Sequence, residues 1–244
     1  LIFWALLERI AIKLSDLVIV VSNEDRKFVI KEYGTDPRKV LVVPNIIKPP
    51  KKVSQEEVKN LRKALNLKDK IVVVFVGDLK SIQNADAVNY IINDLAPWVW
   101  NKHKDVVFLV VGRGGEDFQP TTSNVVFTGF VEDLAPYLAI ADACIAPLRV
   151  GAGTKTKVLE CLAYGKPVIT TSIGVEGLEG LIKGVDQVIV ADRNSFKETL
   201  LNVVEKIRDG ELKDSQWSPV TIYQRLYKDF SDSIRRMVEW VQKN

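Results

Sequence analysis

Apolar runs alternate with amphipathic stretches along most of the chain. The runs IVVVFV at residues 71–76 and VVFLVV at 106–111 are apolar at every position, which is typical of parallel strands covered on both faces. Four further strands are predicted at residues 125–128, 143–146, 167–171 and 187–190. Helices are predicted between them at residues 84–100, 133–139, 156–164 and 195–209. This alternation predicts an α/β fold with a Rossmann-like, doubly wound parallel sheet.

A shorter α/β segment precedes this region. Its predicted elements are a helix over residues 4–14, a strand over 16–21, a helix reaching residue 33 and a strand over 39–43. Ser22 suits the N-cap of the second helix because Asp25 follows three residues later, and Gly34 suits its end. Two strands and their helices are too few for a complete sheet, so we expect an open sheet edge here.

The two regions are joined by a stretch rich in proline and lysine. Residues 46–54 carry these residues and predict a linker, and residues 55–65 predict a helix after it. A long helix at 220–241 ends the chain. We expect a remnant of an amino-terminal domain with its linker at 1–48, a ligand-binding Rossmann-like domain at 49–218 and a crossover helix at 219–244.

Composition narrows the class of protein. With 244 residues, 47% of them hydrophobic, and a net charge of +3, the chain is long enough to fold around a full core. The small charge argues against a nucleic-acid-binding surface, while a local anion pocket stays possible. Cys144 and Cys161 lie in apolar stretches and predict buried thiols, and His103 predicts a surface residue. No apolar run is long enough to cross a bilayer, and we expect a cytoplasmic location.

Glycines follow the predicted strands at five places. The loops contain Gly77, Gly112, Gly129 and Gly174, and the loop after the fourth strand contains Gly151 and Gly153. In open parallel sheets, ligands bind outside the carboxyl ends of the strands. Glycines at all five ends therefore predict a pocket lined by backbone.

The loop and helix after the fourth predicted strand carry the groups that suit a charged ligand. Lys155 and Lys157 are cations at a predicted helix start, where free N–H groups favour phosphate. Thr154 and Thr156 supply hydroxyl groups, and Glu160 adds a carboxylate one turn further, which suits sugar hydroxyls. The combination predicts a nucleotide-sugar site.

A family resemblance covers most of the chain. The quoted segments are FVGDLKSIQNADAVNYI, FLVVGRGG and the long run from VVFTGFVEDL to PVITTSIGVEGL. They resemble the carboxy-terminal, donor-binding domain of glycosyltransferase family four, the retaining enzymes of GT-B fold. Residues 15–47 are similar to the end of that family's amino-terminal domain, and the segment QWSPVTIYQRLYKDF resembles its crossover helix. The resemblance implies a hexosyltransferase whose donor is a UDP- or GDP-sugar.

The resemblance also implies roles for individual residues. Glu160 matches the second glutamate of the family's Glu-x7-Glu motif and would bind the ribose. The backbone of residues 129–131 would meet the base, with Arg113 and Gly114 beside it. Cations and helix-end N–H groups would stabilise the departing diphosphate without a metal or other cofactor. The implied donor-binding residues are Gly77, Lys80, Arg113, Gly114, Phe130, Val131, Gly153, Thr154, Lys155, Thr156, Lys157 and Glu160.

The sequence departs from the family pattern at three positions. Ala152 stands where the motif has its first glutamate, and Asp78 and Gln83 stand where the first loop has a basic pair. We expect Lys80, with Lys155 or Lys157, to replace part of the missing charge. The family's catalytic histidine belongs to the amino-terminal domain, so no catalytic residue is assigned here. The chain alone is expected to bind nucleotide without turnover.

Three alternative functions are compatible with parts of the sequence. The departures favour a non-catalytic nucleotide-sugar-binding or assembly subunit of the same fold. A Rossmann-type oxidoreductase is disfavoured because no GxGxxG follows the first predicted strand. An epimerase of GT-B fold would need general bases that are not evident. The expected partners are the donor and either the rest of an amino-terminal domain or a second copy at the open sheet edge, with membrane-surface contact only through that domain.

Overall fold

The chain forms two parallel sheets, a two-stranded one near its start and a six-stranded one after it. The computed structural model describes residues 2–151, 155–212 and 219–243. In the smaller sheet, β1 (Val18–Val20) pairs with β2 (Val40–Val42). Helices α1 (Ile2–Leu14) and α2 (Asn23–Tyr33) precede and connect these strands.

Local sequence signals set the ends of the early helices. The Ser22 hydroxyl oxygen accepts a hydrogen bond from the Asp25 N–H at 3.0 Å, so α2 begins as predicted. Gly34 ends α2 with φ of +65°, a left-handed conformation that glycine adopts at little cost. The predicted linker has no regular structure, and α3 (Gln55–Ala64) begins after Ser54 with a capping box.

The larger sheet confirms the predicted fold class. Its strands are β3 (Ile71–Val76), β4 (Val106–Val111), β5 (Val125–Phe127), β6 (Ala143–Ala146), β7 (Val168–Thr170) and β8 (Val188–Val190). They lie in the order β5-β4-β3-β6-β7-β8, and all neighbouring pairs are parallel. Every residue of β4 and β6 is buried, as expected for central strands with both faces covered.

Helices flank this sheet. They are α4 (Ile82–Tyr90), α5 (Ala96–Lys102), α6 (Ala135–Ile140), α7 (Thr156–Ala163), α8 (Ser172–Val175), α9 (Glu179–Ile182), α10 (Phe196–Asp209) and α11 (Pro219–Lys243). The helix predicted at 84–100 contains a π-helical turn at Ile91–Leu95, which the sequence pattern did not show. The short helices α8 and α9 and the 3₁₀ turns Pro37–Lys39 and Gly115–Asp117 were not predicted either.

The strand order places a crevice at the middle of the sheet. The first three strands run outward from β3 to β5, and the chain then crosses to β6 on the other side of β3. The loops after β3 and β6 therefore lead away in opposite directions and leave an opening between them. This opening lies at the carboxyl edge, where the sequence predicts ligand binding.

The last helix connects the two parts of the chain. Helix α11 contacts α7 and α9 of the larger part and β2 of the smaller sheet. Helix α1 leaves large apolar side chains exposed, among them Phe3, Trp4 and Leu14. Within the described ranges, no helix combines the length and the apolar character needed to cross a membrane.

Candidate functional site

Glycines pack the loops after β3, β4 and β5 closely together. Gly112 has φ of +146°, and a Cβ atom there would lie 1.8 Å from the carbonyl oxygen of Gly77. The Gly112 N–H donates a hydrogen bond to the carbonyl oxygen of Gly129 at 3.1 Å. A side chain at Gly112 would therefore push the loop after β4 away from the loop after β3. The glycine loops therefore line a pocket with their backbone, as the sequence predicts.

The first pocket has a volume of about 370 Å³. It is lined by Val76, Gly77, Asp78, Val111, Gly112, Arg113, Phe130, Val131 and Leu134. The Phe130 side chain is 73% exposed at its rim, while Val131 is partly buried. Buried Gly114 lies next to the pocket, because a Cβ atom there would approach Leu79 and Lys80 to 3.3 Å. The predicted base-binding residues are thus brought together.

An ion pair crosses the mouth of this pocket. The Arg113 guanidinium donates to the Asp78 carboxylate at 2.6 Å, and this hydrogen bond holds the Asp78 pKa below its usual value. Lys80 is exposed on the same loop, and its backbone N–H donates to Asp78 at 3.2 Å. The charge of Arg113 is therefore partly offset by Asp78, one of the positions where the resemblance implies a basic residue.

A second, smaller pocket of about 170 Å³ opens at the start of α7. It is lined by Gln83, Asn84, Leu148, Gly151, Lys155, Thr156 and Lys157. Lys155 is only 8% exposed, and burial lowers the pKa of its ammonium group. Thr156 is partly buried beside it. The structure thus places cations and a hydroxyl group at the crevice between β3 and β6.

Lys157 is held on two sides by uncharged groups. Its Nζ lies 4.6 Å from the centre of the Phe75 ring and donates a hydrogen bond to Asn84 Oδ1. Burial lowers the Lys157 pKa to about 8, from an ordinary value of 10.5. A lysine that keeps its charge in such surroundings does so at a cost to the stability of the fold.

Glu160 lies in a third pocket of about 430 Å³, between α7, α6 and the linker. Burial raises the pKa of its carboxyl group, and the nearby positive charges of Lys157 and Lys48 partly oppose this shift. The linker is anchored here because the Lys51 N–H donates to the Tyr164 hydroxyl oxygen at 3.0 Å and Lys51 Nζ pairs with Asp133 at 2.8 Å. Sequence analysis missed these linker residues because a lysine- and proline-rich stretch was interpreted only as a connection.

The three pockets adjoin one another. Leu134 lines both the first and the third, and Thr156 lines both the second and the third. Phe130, Lys155 and Glu160 therefore fall in neighbouring parts of one groove, where the sequence predicted a single pocket. Gly153 and Thr154, together with Ala152, lie outside the described residues. The described ranges contain no group of three or more His, Cys, Asp or Glu residues that could hold a metal ion.

His103, Cys144 and Cys161 are not among the residues that line the three pockets. His103 precedes β4 at the opposite edge of the sheet, and its Nδ1 lies 3.0 Å from an Arg208 nitrogen. Cys144 and Cys161 are both buried and free, in agreement with the prediction of buried thiols.

The fold and the groove at its switch point define an α/β class with a doubly wound parallel sheet and a groove at its carboxyl edge. Residues 70–206 match the family described as Glycosyl transferases group 1, and this match covers more than half of the chain. The chain therefore belongs to that family.

Two curated relatives are similar to this chain. It is 27% identical over 224 residues to the UDP-Gal:alpha-D-GlcNAc-diphosphoundecaprenol alpha-1,3-galactosyltransferase of Escherichia coli, covering 84% of the chain and 54% of that protein. It is 25% identical over 166 residues to an uncharacterized 44.6 kDa protein in the cps region of Klebsiella pneumoniae, covering 64% of the chain and 42% of that protein. The chain thus spans about half the length of the curated relatives it matches.

Solved structures share the fold. Anabaena Alr3699/HepE in complex with UDP superposes with a TM-score of 0.72 at 18% identity, over 96% of this chain and 65% of that one. WaaG, a glycosyltransferase involved in lipopolysaccharide biosynthesis, superposes with a TM-score of 0.65 at 17% identity, over 88% and 57%. These likenesses confirm that the larger part of the chain has the α/β fold of GT-B glycosyltransferases.

Proposed function

We propose that this chain binds the donor in a glycosyltransferase that moves a sugar from a nucleoside diphosphate to an acceptor with retention of anomeric configuration. One observation carries the proposal. Lys155 and Lys157 lie at the start of α7 and face the loop after β3 across the switch point, with Glu160 one turn further along the helix. Cations followed by a carboxylate match the order of diphosphate and ribose in a nucleotide.

The pocket beside Phe130 suits the base. Its volume of about 370 Å³ and its glycine-lined walls leave room for a flat ring next to exposed backbone groups. Arg113 and Gly114 flank the opening, and Val131 supplies apolar contact. Recognition by backbone groups agrees with the lack of a side chain in this pocket that would by itself select one base.

Glu160 is proposed to bind the ribose. A carboxylate accepts hydrogen bonds from two adjacent hydroxyl groups, and such bonds are stronger where water is partly excluded. The partial burial that raises the Glu160 pKa supplies this condition. Leu134 connects the ribose position to the base pocket, so one nucleoside can occupy both.

The diphosphate is proposed to lie against Lys155, Thr156 and Lys157, with Lys80 near its outer end. Negative charge develops on the diphosphate as the bond to the sugar breaks, and fixed cations and helix-end N–H groups stabilise that charge. We extend this assignment to Gly153, Thr154 and Gly77 on the family resemblance. The proposal includes no metal ion and no other cofactor.

Uridine diphosphate is the proposed nucleotide. The printed name of the Escherichia coli relative specifies UDP-Gal, and the Anabaena protein has been crystallised with UDP and with UDP-glucose. These statements concern those proteins, and they favour a UDP-hexose here over a GDP-hexose.

Calorimetric titration of this chain with UDP and with GDP tests the proposal. We expect UDP to bind and Glu160→Gln to weaken that binding by about tenfold, since a charge-assisted hydrogen bond contributes about 1.5–3 kcal/mol. Glu132→Gln is the matched control, because Glu132 lines the same pocket but is exposed. If neither UDP nor GDP binds, the proposal is overturned.

A non-catalytic nucleotide-sugar-binding subunit is the second candidate. The ion pair between Asp78 and Arg113 favours this candidate, because the acidic Asp78 stands at a position where the resemblance implies a basic residue. Both candidates predict UDP binding, and only the first predicts sugar transfer once the chain is joined to an acceptor-binding domain. Nuclear magnetic resonance of the product anomer would then decide between retention and inversion.

A further inference from the structure

We propose that Asn84 is a positioning residue that holds the Lys157 ammonium group in the crevice, where it meets the diphosphate of the donor. The inference rests on the proposed function and adds a residue that neither the sequence motifs nor the family resemblance assigned. Three segments meet at Asn84: the loop after β3, helix α4 and helix α7.

The Asn84 side chain has one accessible orientation. Its Nδ2 donates to the carbonyl oxygen of Asp78 at 2.9 Å, and its backbone N–H donates to Ser81 at 3.1 Å. The side chain is also confined by Gly77, where a Cβ atom would lie 2.7 Å from Asn84 atoms. Because Nδ2 is committed to a carbonyl oxygen, Oδ1 must face Lys157.

The close packing extends further into the sheet. Gly77 packs directly against Gly112, where a side chain would collide with the Gly77 carbonyl oxygen. Asn84 is therefore fixed by the ends of both β3 and β4, which are the most buried strands of the first half of the sheet. A group that grips Lys157 from this position is held by a rigid scaffold.

Lys157 is gripped without being neutralised. Asn84 Oδ1 accepts one of its three N–H bonds and the Phe75 ring covers another side, and neither partner carries a charge. The charged groups near it are Glu160 and Lys155 on its own helix segment, with the buried thiol of Cys161. Both Asn84 and Lys157 line the pocket at the start of α7, so the remaining N–H bonds are available to an anion there.

The uncharged amide group of Asn84 leaves the charge of Lys157 intact. An aspartate at position 84 would hold the lysine more strongly but would cancel its charge, as Asp78 does for Arg113. An amide fixes the position of the ammonium and leaves its charge for the ligand. This is the arrangement expected of a residue that serves binding and not stability.

Two substitutions at Asn84 test the proposal, with Asn89→Ala on the exposed face of α4 as the control. UDP and uridine are titrated into each variant at several pH values between about 6.5 and 9.5. We expect Asn84→Ala to weaken the binding of UDP by about tenfold. The binding of uridine should weaken by less than about twofold, because uridine has no diphosphate. Equal losses for UDP and uridine, or no loss for either, would overturn the proposal.

Asn84→Asp adds a readout that a purely structural role would not change. We expect wild-type UDP affinity to fall as Lys157 loses its proton near pH 8. A carboxylate beside Lys157 raises the lysine pKa, so this fall should move to higher pH in Asn84→Asp. Lysine ¹³Cε titration by nuclear magnetic resonance follows the same pKa without nucleotide. If wild type binds no UDP the proposed function fails, whereas an unchanged Lys157 titration in Asn84→Asp overturns the role of Asn84.

Discussion

Arg62 and Lys157 are partly buried cations at opposite edges of the six-stranded sheet, and they have opposite kinds of partner. At the amino edge, Arg62 donates to Asp142 at 2.9 Å and to the carbonyl oxygens of Lys70 and Ile140. Asp142 in turn accepts from the backbone N–H of Val72 at 2.8 Å. At the carboxyl edge, Lys157 is partly buried against an amide and an aromatic ring. Arg62 is thus neutralised by an ion pair, whereas Lys157 has uncharged partners, although Arg113 at the same edge is paired with Asp78.

The difference separates stability from binding. A paired and hydrogen-bonded carboxylate stabilises the folded state, because removing either partner leaves the other polar group unsatisfied. A lysine whose pKa is lowered by burial opposes folding wherever it is protonated. The carboxyl edge is therefore less stable than it could be, and under the proposed function the diphosphate of the donor would supply the missing negative charge.

The largest expected effect is at the amino edge. Arg62→Met should reduce the free energy of unfolding by about 2–3 kcal/mol, since it removes the cationic partner of Asp142 and the donor to two carbonyl oxygens. UDP affinity should stay within about twofold of wild type. Urea denaturation measures the first quantity and calorimetry the second. Arg235→Met is the control, because its ion pair with Asp232 is exposed and long at 3.8 Å.

The second-largest effect is expected at the carboxyl edge, where a substitution should weaken UDP binding and increase stability. Lys157→Met should weaken UDP by about tenfold or more and, at about pH 7, raise the free energy of unfolding by roughly 1 kcal/mol, since the desolvated charge is removed. Between about pH 8 and 10.5 the unfolded wild type binds more protons than the folded one, so wild-type stability rises relative to the variant.

Denaturation of wild type and Lys157→Met at about pH 7 and about pH 10 measures this difference. The stability advantage of the variant should shrink at the higher pH. An advantage that is constant with pH would show that Lys157 carries no penalty from burial, and the two edges would then not differ in the way described.

Periodicity predicted most of the fold and part of the site. The runs at 71–76 and 106–111 became β3 and β4 without change, because strands buried on both faces leave a continuous apolar signal. The π-helical turn at Ile91–Leu95 was not predictable, since it continues the helical pattern and differs only in its hydrogen bonds. The glycines and lysines of the carboxyl edge marked the groove through their residue types alone.

The contacts between distant segments were beyond sequence reasoning. Asn84 and Lys157 are 73 positions apart, and nothing in either neighbourhood indicates that they meet. The three adjoining pockets share Leu134 and Thr156, and although Thr156 was a predicted site residue, nothing in the sequence shows that Leu134 lines two of the pockets. Linker residues such as Lys51 entered the site only through tertiary packing.

The smallest expected effect concerns the rim of the groove. Phe130 is 73% exposed, so Phe130→Ala should change the free energy of unfolding by less than about 0.5 kcal/mol. If the base lies beside it, UDP and uridine should both weaken by a similar factor of about two to five, because stacking is lost equally for the two ligands. Calorimetry with both ligands tests this, with Ile82→Ala as an equally exposed control outside the three pockets. A loss confined to UDP would instead place the diphosphate at Phe130, and the orientation of the nucleotide along the groove would have to be reversed.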